Sequence, residues 1–380
     1  MSAIFVPRGF LFAGMSAGIK KSGKNDLGLV VSEKPLNAVC YFTSNSFKAA
    51  PLLDSIAKLK RTKSLISAIL VNSGNANCFT GKTGAAAVKK ECASLARQLG
   101  VKDELVHASS TGIIKKPLPV EKIIKAIPEL VAKLGPDNLE VFNSAIMTTD
   151  TFPKIESKCI TIGGKRVTIC GVAKGAGMIW PQVKFQATML SYVFSDVNIA
   201  KNILQKITKE IIEKTFNSVT VDGCTSTNDS VFFLTSAKAG SKTITREDKD
   251  CKLFKEALAA VCLNLAQKIA RDGEGATKLI EITVKGASSP AQAKEAGLAI
   301  ANSFLFKTAV HGANKNIGRI AQALGQAHII DSNDDIVISC NDLKSKDVKF
   351  IVDLKKGRAD WTVYTCDISE NYVKINAEYN

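Results

Sequence analysis

Histidine, aromatic residues and acidic charge are all scarce in this chain. Only three histidines occur in 380 residues, His107, His311 and His328. None lies in the polar loops singled out below, although His311 lies in a polar Thr-Ala-Val-His-Gly-Ala-Asn run. A Ser-His-Asp triad therefore has no visible assembly, and metal catalysis has few ligands. The ten cysteines form no C-x-x-C pair and no Cys/His group at zinc spacing. Cys40, Cys170 and Cys262 stand in apolar runs, the pattern of reduced core thiols in a cytoplasmic protein. No apolar run approaches the ~20 residues of a membrane helix, so no membrane partner is expected. The apolar patch from Gly9 to Ile19 lacks a basic lead and a cleavage site, and reads as a glycine-rich strand instead of a signal peptide.

Acidic residues number 35 against 51 Lys and Arg, a formal charge of +16. The lysines are scattered, with no basic tail and no stripe interleaved with aromatics, so nucleic acid is not the expected partner. A lysine-rich solvated surface that steers an anionic substrate fits better. Aromatics make up 6%, hydrophobic residues 46% and charged residues 23%, the balance of an ordinary globular chain. The length suits two domains or one large two-lobed one.

What is present is a run of β-rich apolar segments: 27–31, 38–42, 66–71, 167–172, 189–194, 231–234, 279–284, 336–339, 350–352 and 361–366. Helical periodicity lies between them. Residues 84–99 alternate Ala, Val and Leu with Lys and Glu, and 197–216 puts Ile199, Ile203, Leu204, Ile207, Ile211 and Ile212 on one face. Residues 251–270 and 290–303 are further helices, while Pro128 is expected to break or kink 120–134. Segments 154–164 and 241–250 read as loops. Paired strands favour antiparallel or mixed sheets, so the fold class is α/β, layered, with helices outside central sheets.

Lys174 to Leu190 carries the sharpest signal. A glycine-rich loop runs into an Ala187–Thr188 step, and a strand follows at once. If that bond were cut, Thr188 would be an N-terminal threonine whose own α-amine could serve as base for its hydroxyl. That amine has an unperturbed pKa of ~7.7–8.0, so no histidine is needed. Other loops are dense in groups that bind. Thr111 and Gly112 could donate to a developing oxyanion. The segment from Met147 to Lys154 sets hydroxyls, an acid and a cation together, as recognition of an amino acid's charged ends requires. Asp222 to Asp229 is an unbroken run of turn-forming and hydrogen-bonding side chains. Glu274 sits between two glycines. The Ser73–Thr83 loop ends in Gly-Lys-Thr, but six residues separate Gly74 from Gly81 where a phosphate loop has four. An Asn/Gly loop lining another kind of site is the better reading.

These segments, in this order, resemble the bifunctional ornithine acetyltransferase / glutamate N-acetyltransferase family of arginine biosynthesis. The resemblance rests on Pro7-Arg-Gly-Phe, Ala17-Gly-Ile-Lys-Lys-Ser-Gly, Val71-Asn-Ser-Gly-Asn-Ala-Asn, Ser110-Thr-Gly, Met147-Thr-Thr-Asp-Thr, Lys174-Gly-Ala-Gly-Met-Ile, Ala187-Thr-Met-Leu, Thr225-Ser-Thr-Asn-Asp, Gly273-Glu-Gly-Ala-Thr-Lys, Lys307-Thr-Ala-Val-His-Gly-Ala and Ile375-Asn-Ala-Glu-Tyr. It implies a layered αββα fold like that of N-terminal-nucleophile enzymes. It implies self-cleavage between Ala187 and Thr188 into an α chain, 1–187, and a β chain, 188–380, which interdigitate and assemble as α2β2. It implies Thr188 as nucleophile, Thr111 and Gly112 as oxyanion hole, and Thr148, Lys174, Thr188, Glu274 and Asn376 as substrate-binding residues. The reaction implied is ping-pong transfer of acetyl from N2-acetylornithine to glutamate with no cofactor. Some members of the family also take acetyl-CoA as donor. The rival is an amidase or aminopeptidase with the same nucleophile, which passes the acyl group to water. Five residues separate Pro181 from Ala187 where the family usually has two, and Ile317 stands in place of a common Trp.

Overall fold

A computed structural model describes residues 3–180 and 189–378, and they fall into two compact units. The first holds 3–175, 189–212 and 225–265; the second holds 176–180, 213–224 and 266–378. Neither unit ends at the Ala187–Thr188 step. Each draws residues from both sides of it.

The first unit contains strands β1 (Phe10–Met15), β2 (Leu27–Phe42), β3 (Leu65–Asn75), β4 (Val106–Ile113), β5 (Lys154–Ile162), β6 (Lys165–Lys174), β7 (Leu190–Ser195) and β8 (Ser230–Thr235). They form one mixed sheet in the order β4-β3-β2-β8-β7-β6-β5, with β1 also paired to β2. Strand β2 merges two apolar runs. Its first part pairs with β1 and β3, its last five residues with β8, and the register shifts between Val31 and Leu36. Helices α1 (Ala50–Arg61), α2 (Gly81–Leu99), α3 (Val120–Ala132) and α4 (Leu139–Ile146) lie in the same unit. The few aromatics are concentrated here. Phe12, Phe142, Tyr192, Phe194 and Phe232 stack or meet edge-to-face under the sheet. Each such buried ring contributes roughly 1.5–3 kcal/mol of hydrophobic stabilisation.

Helices α5 (Lys201–Lys214) and α6 (Lys249–Arg271) follow in the chain. The second unit has strands β9 (Leu279–Ala287), β10 (Val337–Cys340), β11 (Asp347–Asp353) and β12 (Ala359–Cys366), ordered β10-β11-β9-β12. It also has helices α7 (Pro290–Ala301), α8 (Phe304–His311), α9 (Gly318–Gln326) and α10 (Glu370–Glu378). Helix α7 begins with Pro290 at its first turn and is capped by Ser289, whose hydroxyl accepts from Gln292 N. Its small residues Ala293, Ala296 and Gly297 are buried, and a Cβ on Gly297 would meet Val363 of β12 at 2.8 Å. The mixed α/β class read from the sequence is the class observed.

Two expectations fail. Residues 154–164 are not a loop but strand β5 and its turn into β6. Gly163 and Gly164, both at positive φ, make the two-residue turn of this hairpin. β5 ends the sheet, and its outward polar residues disguised it. Helix α3 runs through Pro128 to Ala132, because Ile123, Ile127 and Leu130 are all buried on one face. Among the described residues, no helix is long and apolar enough to cross a membrane.

Candidate active site

Strands β3 and β4 run parallel, with Thr111 opposite Ser73 and Gly112 opposite Gly74. Gly112 has φ +131°, and a Cβ there would lie 2.4 Å from the carbonyl carbon of Gly74. Only glycine fits, so the two backbones come close together beside Thr111. A web of amide side chains fixes this corner. Ser110 Oγ donates to Asn72 Oδ1 (2.6 Å), Asn72 Nδ2 to Asn75 O (2.8 Å), and Asn228 Nδ2 to both Ala76 O (2.6 Å) and Ser110 O (2.8 Å). The Asn/Gly loop is therefore scaffold for the Thr111–Gly112 corner, and its Gly-Lys-Thr simply opens α2.

Lys174 ends β6, is buried at 8% exposure, and donates from Nζ to Thr111 Oγ1 (3.1 Å). Its strand neighbour in β7 is Leu190. Asp150 ties the next elements together. Its Oδ1 accepts from Lys154 Nζ (2.7 Å) and Gly175 N (2.7 Å), its Oδ2 from Thr148 N (2.9 Å). Burial by itself would raise the Asp150 carboxyl, but the Lys174 and Lys154 ammoniums and these hydrogen bonds hold it well below the usual carboxylate range. The charges in the Met147–Lys154 segment thus pair with each other: Asp150 and Lys154 are an ion pair with no exposed side-chain surface. Thr148, in the same segment, is anchored at its nitrogen. Asp229, fully buried one residue before β8, is pushed well up by burial against the pull of Ser226 and Lys174.

In the second unit, Glu274 donates its backbone N–H to Ala176 O (2.9 Å). Its carboxylate rests on the Gly177 α-carbon: a Cβ on Gly177 would be 2.3 Å from Glu274 Oε2. Asn376 of α10 donates from Nδ2 to Glu274 Oε2 (2.9 Å) and to Tyr372 O (3.0 Å). Gly275, at φ +70°, lets α10 approach, since a Cβ would meet Tyr372 N at 2.4 Å. Asp222 accepts from Met178 N (2.6 Å), Ile179 N (2.9 Å) and Cys224 N (3.1 Å), clamping the glycine loop. Burial raises its carboxyl and these N–H bonds oppose the rise.

The structure therefore joins Thr111 to Lys174 and Glu274 to Asn376, with Gly112 and Thr148 built into the Thr111 side of the first unit. Ala187 and Thr188 lie outside the described residues. The strand beyond them is fixed: Met189 O accepts from Ser230 N (2.7 Å). Sequence reasoning gave no role to Lys20, Asn228 or Asp222. Asn228 and Asp222 belong to the one dense polar run it had noticed, and that density was the available signal. Among the described residues, no group of three or more His, Cys, Asp or Glu is placed to hold a metal ion.

The ArgJ family model matches residues 11–344 and 338–380. Arginine biosynthesis bifunctional protein ArgJ of Geobacter sulfurreducens is 40% identical over 393 residues, covering 98% of this chain and 99% of its own. The protein of that name from Bacillus cereus is 41% identical over 400 residues, covering 99% and 96%. Among solved structures, ornithine acetyltransferase complexed with ornithine from Mycobacterium tuberculosis is 33% identical, with a TM-score of 0.41 over 47% of this chain and 93% of its own. A family match and relatives that span nearly the whole sequence leave one conclusion: the chain belongs to the ArgJ family.

Proposed function

We propose that this protein is a glutamate N-acetyltransferase of arginine biosynthesis that moves acetyl from N2-acetylornithine to glutamate. The chain first cuts itself at Ala187–Thr188. The freed α-amine of Thr188 takes the proton of its own hydroxyl, and Oγ attacks the acetyl carbonyl of N2-acetylornithine. Thr111 and the Gly112 N–H stabilise the oxyanion. The C–N bond breaks, the proton passes to the leaving amine, and ornithine departs. Glutamate's amine then attacks acetyl-Thr188, its proton returns through the Thr188 amine, and N-acetylglutamate leaves. Lys174 and Thr148 take the substrate carboxylate, and Glu274, held by Asn376, takes the side-chain ammonium of ornithine. The α and β chains stay together, as an α2β2 assembly.

The observation that carries this reading is the contact of Lys174 with Thr111 beside the Gly112–Gly74 pinch, within a chain of this family. A rigid donor corner next to a cation suits acyl transfer on an anionic amino acid. The test is a denaturing gel with an acetyl-transfer assay. The wild-type protein should run as two bands of about half the full mass. Thr188→Ala should give one full-length band and no transfer, and Thr188→Ser should keep partial cleavage. A processed, active Thr188→Ala protein would overturn the mechanism. Acetyl release that does not need glutamate would point to the amidase instead, and glutamate with acetyl-CoA tests the second donor.

A further inference from the structure

The turn at 17–20 is built around a fully buried carboxylate. Asp26 accepts from Ala17 N (2.6 Å), Ile19 N (2.6 Å) and Lys20 N (2.9 Å). That turn aims one side chain. Lys20 lies along the Gly74 α-carbon, where a Cβ would come within 3.0 Å of Lys20 Cγ. Gly74 is the register partner of Gly112. At its far end Lys20 Nζ donates to Asn25 O and to Met147 O, both at 2.7 Å. The latter carbonyl shares its peptide bond with Thr148 N. Lys20 therefore reaches from the glycine pair of the oxyanion corner to the Thr148 loop.

Two carbonyls use two of its three N–H donors, and among the described residues no protein acceptor meets the third. The charges acting on it are the carboxylates of Asp26 and Asp150, the ammonium of Lys174, and Lys24 on the exposed side; Asp150 is itself paired with Lys154. Burial pushes the Asp229 carboxyl, near Lys174, well up. With Asp150 shared with Lys154, the Lys20 and Lys174 ammoniums lie close together beside Asp26. Like cations gathered in a half-buried corner repel one another unless an anion completes the set.

We infer that Lys20 is a second substrate cation, which with Lys174 binds the α-carboxylate that N2-acetylornithine and glutamate share. This rests on the transfer reaction proposed above. Burial, with the Lys174 charge, brings the Lys20 ammonium down to about 8, against the pull of Asp26 and Asp150. Its charge is present below that pH and lost above it. Carboxylate binding therefore weakens as pH rises through about 8 and is coupled to proton uptake there. Deprotonation of the Thr188 amine gives kcat/KM its rising limb, and loss of the Lys20 charge gives its falling limb.

The experiment compares wild type, Lys20→Arg and Lys20→Met in acetyl transfer from N2-acetylornithine to glutamate between pH ~6 and ~10. In Lys20→Met, KM for N2-acetylornithine should rise on the order of ten- to a hundredfold, with kcat changing less. Lys20→Arg should recover most of the affinity and lose the falling limb near pH 8, because guanidinium stays charged. Calorimetry with N2-acetylornithine and its α-carboxamide supplies the second readout. Wild type should prefer the acid, and Lys20→Met should bind acid and amide alike. An unchanged KM, or an acid-to-amide preference in Lys20→Met as large as in wild type, would sink the assignment. If Lys20→Met does not fold, persistence of the wild-type falling limb in Lys20→Arg does the same. A wild-type protein that transfers no acetyl would count against the function, while the acid-to-amide comparison would still decide Lys20.

Discussion

Gly177 shows how a residue without a side chain can set chemistry. Its backbone is not in the left-handed region, so alanine is allowed there by conformation. The obstacle is Glu274, whose carboxylate occupies the space where a Cβ would go. Gly177→Ala should leave folding stability within about 1 kcal/mol of wild type. It should displace Glu274 from Asn376 and lower kcat/KM for N2-acetylornithine by about tenfold or more, the value of one charge-assisted contact. Equal activity with an unchanged melting temperature would show that Glu274 does not hold substrate. The pair Asp150 and Lys154 makes the complementary point. Two groups that looked available for substrate turn out to neutralise each other in the interior. Which charged residues of a loop reach a ligand, and which hold the loop, depends on contacts with β6 that no local pattern records.

At the level of elements, α1, α2 and β4 enclose a polar cluster that the proposed mechanism does not use. Lys58 of α1 pairs with Asp54 (2.8 Å) and donates to Val106 O (2.9 Å). Glu91 of α2 is fully buried and pushed up to about 8 by burial, against the pull of Lys58. His107 of β4 is brought down to about 3 by burial and the Lys58 charge. The two groups act on stability in opposite senses. Glu91 has a folded pKa above its unfolded ~4.3, so its contribution is complete at low pH and is lost as pH rises towards 8. His107 has a folded pKa below its unfolded ~6.5, so its contribution is complete above that and lost below it. Of these two groups, only Glu91 titrates between about pH 6.5 and 8. Urea midpoints should fall across that window in wild type and fall less steeply in Glu91→Gln. A wild-type slope that survives the substitution would show that Glu91 is already ionised. The elements themselves were unevenly legible. Strands with continuous Val, Ile and Phe were read correctly because β6, β7 and β8 are buried on both faces. Helix α4 escaped because Leu-Glu-Val-Phe is as good a strand as a helix over eight residues, and only packing against β1 and β2 decides it. Helices α8, α9 and α10 are similarly short, and their stability is tertiary.

For the whole molecule, the sheet order gives the proposed cut a mechanical consequence. Strands β7 and β8 follow residue 188, yet they sit between β2 and β6, which precede it. Five register pairs join β8 to β2, and six join β7 to β6. A single broken peptide bond cannot release either chain without unzipping both ladders and exposing Tyr192, Phe194 and Phe232 from the core. The cut protein should elute as one species in native gel filtration and separate only in denaturant. Two fragments resolving under native conditions would contradict the sheet order. The sequence by itself determined the mixed α/β class, the family, and the polar motifs on which the proposed mechanism draws, because hydrophobic period and short polar motifs are local properties. The tertiary structure alone decided which polar residues are tied into the scaffold and which lie together at the candidate site. It brought Lys174 to Thr111, Glu274 to Gly177 and Lys20 to the Thr148 loop across spans of 63, 97 and 127 residues. Contacts at that separation arise from sheet register and core packing, which one-dimensional patterning does not encode.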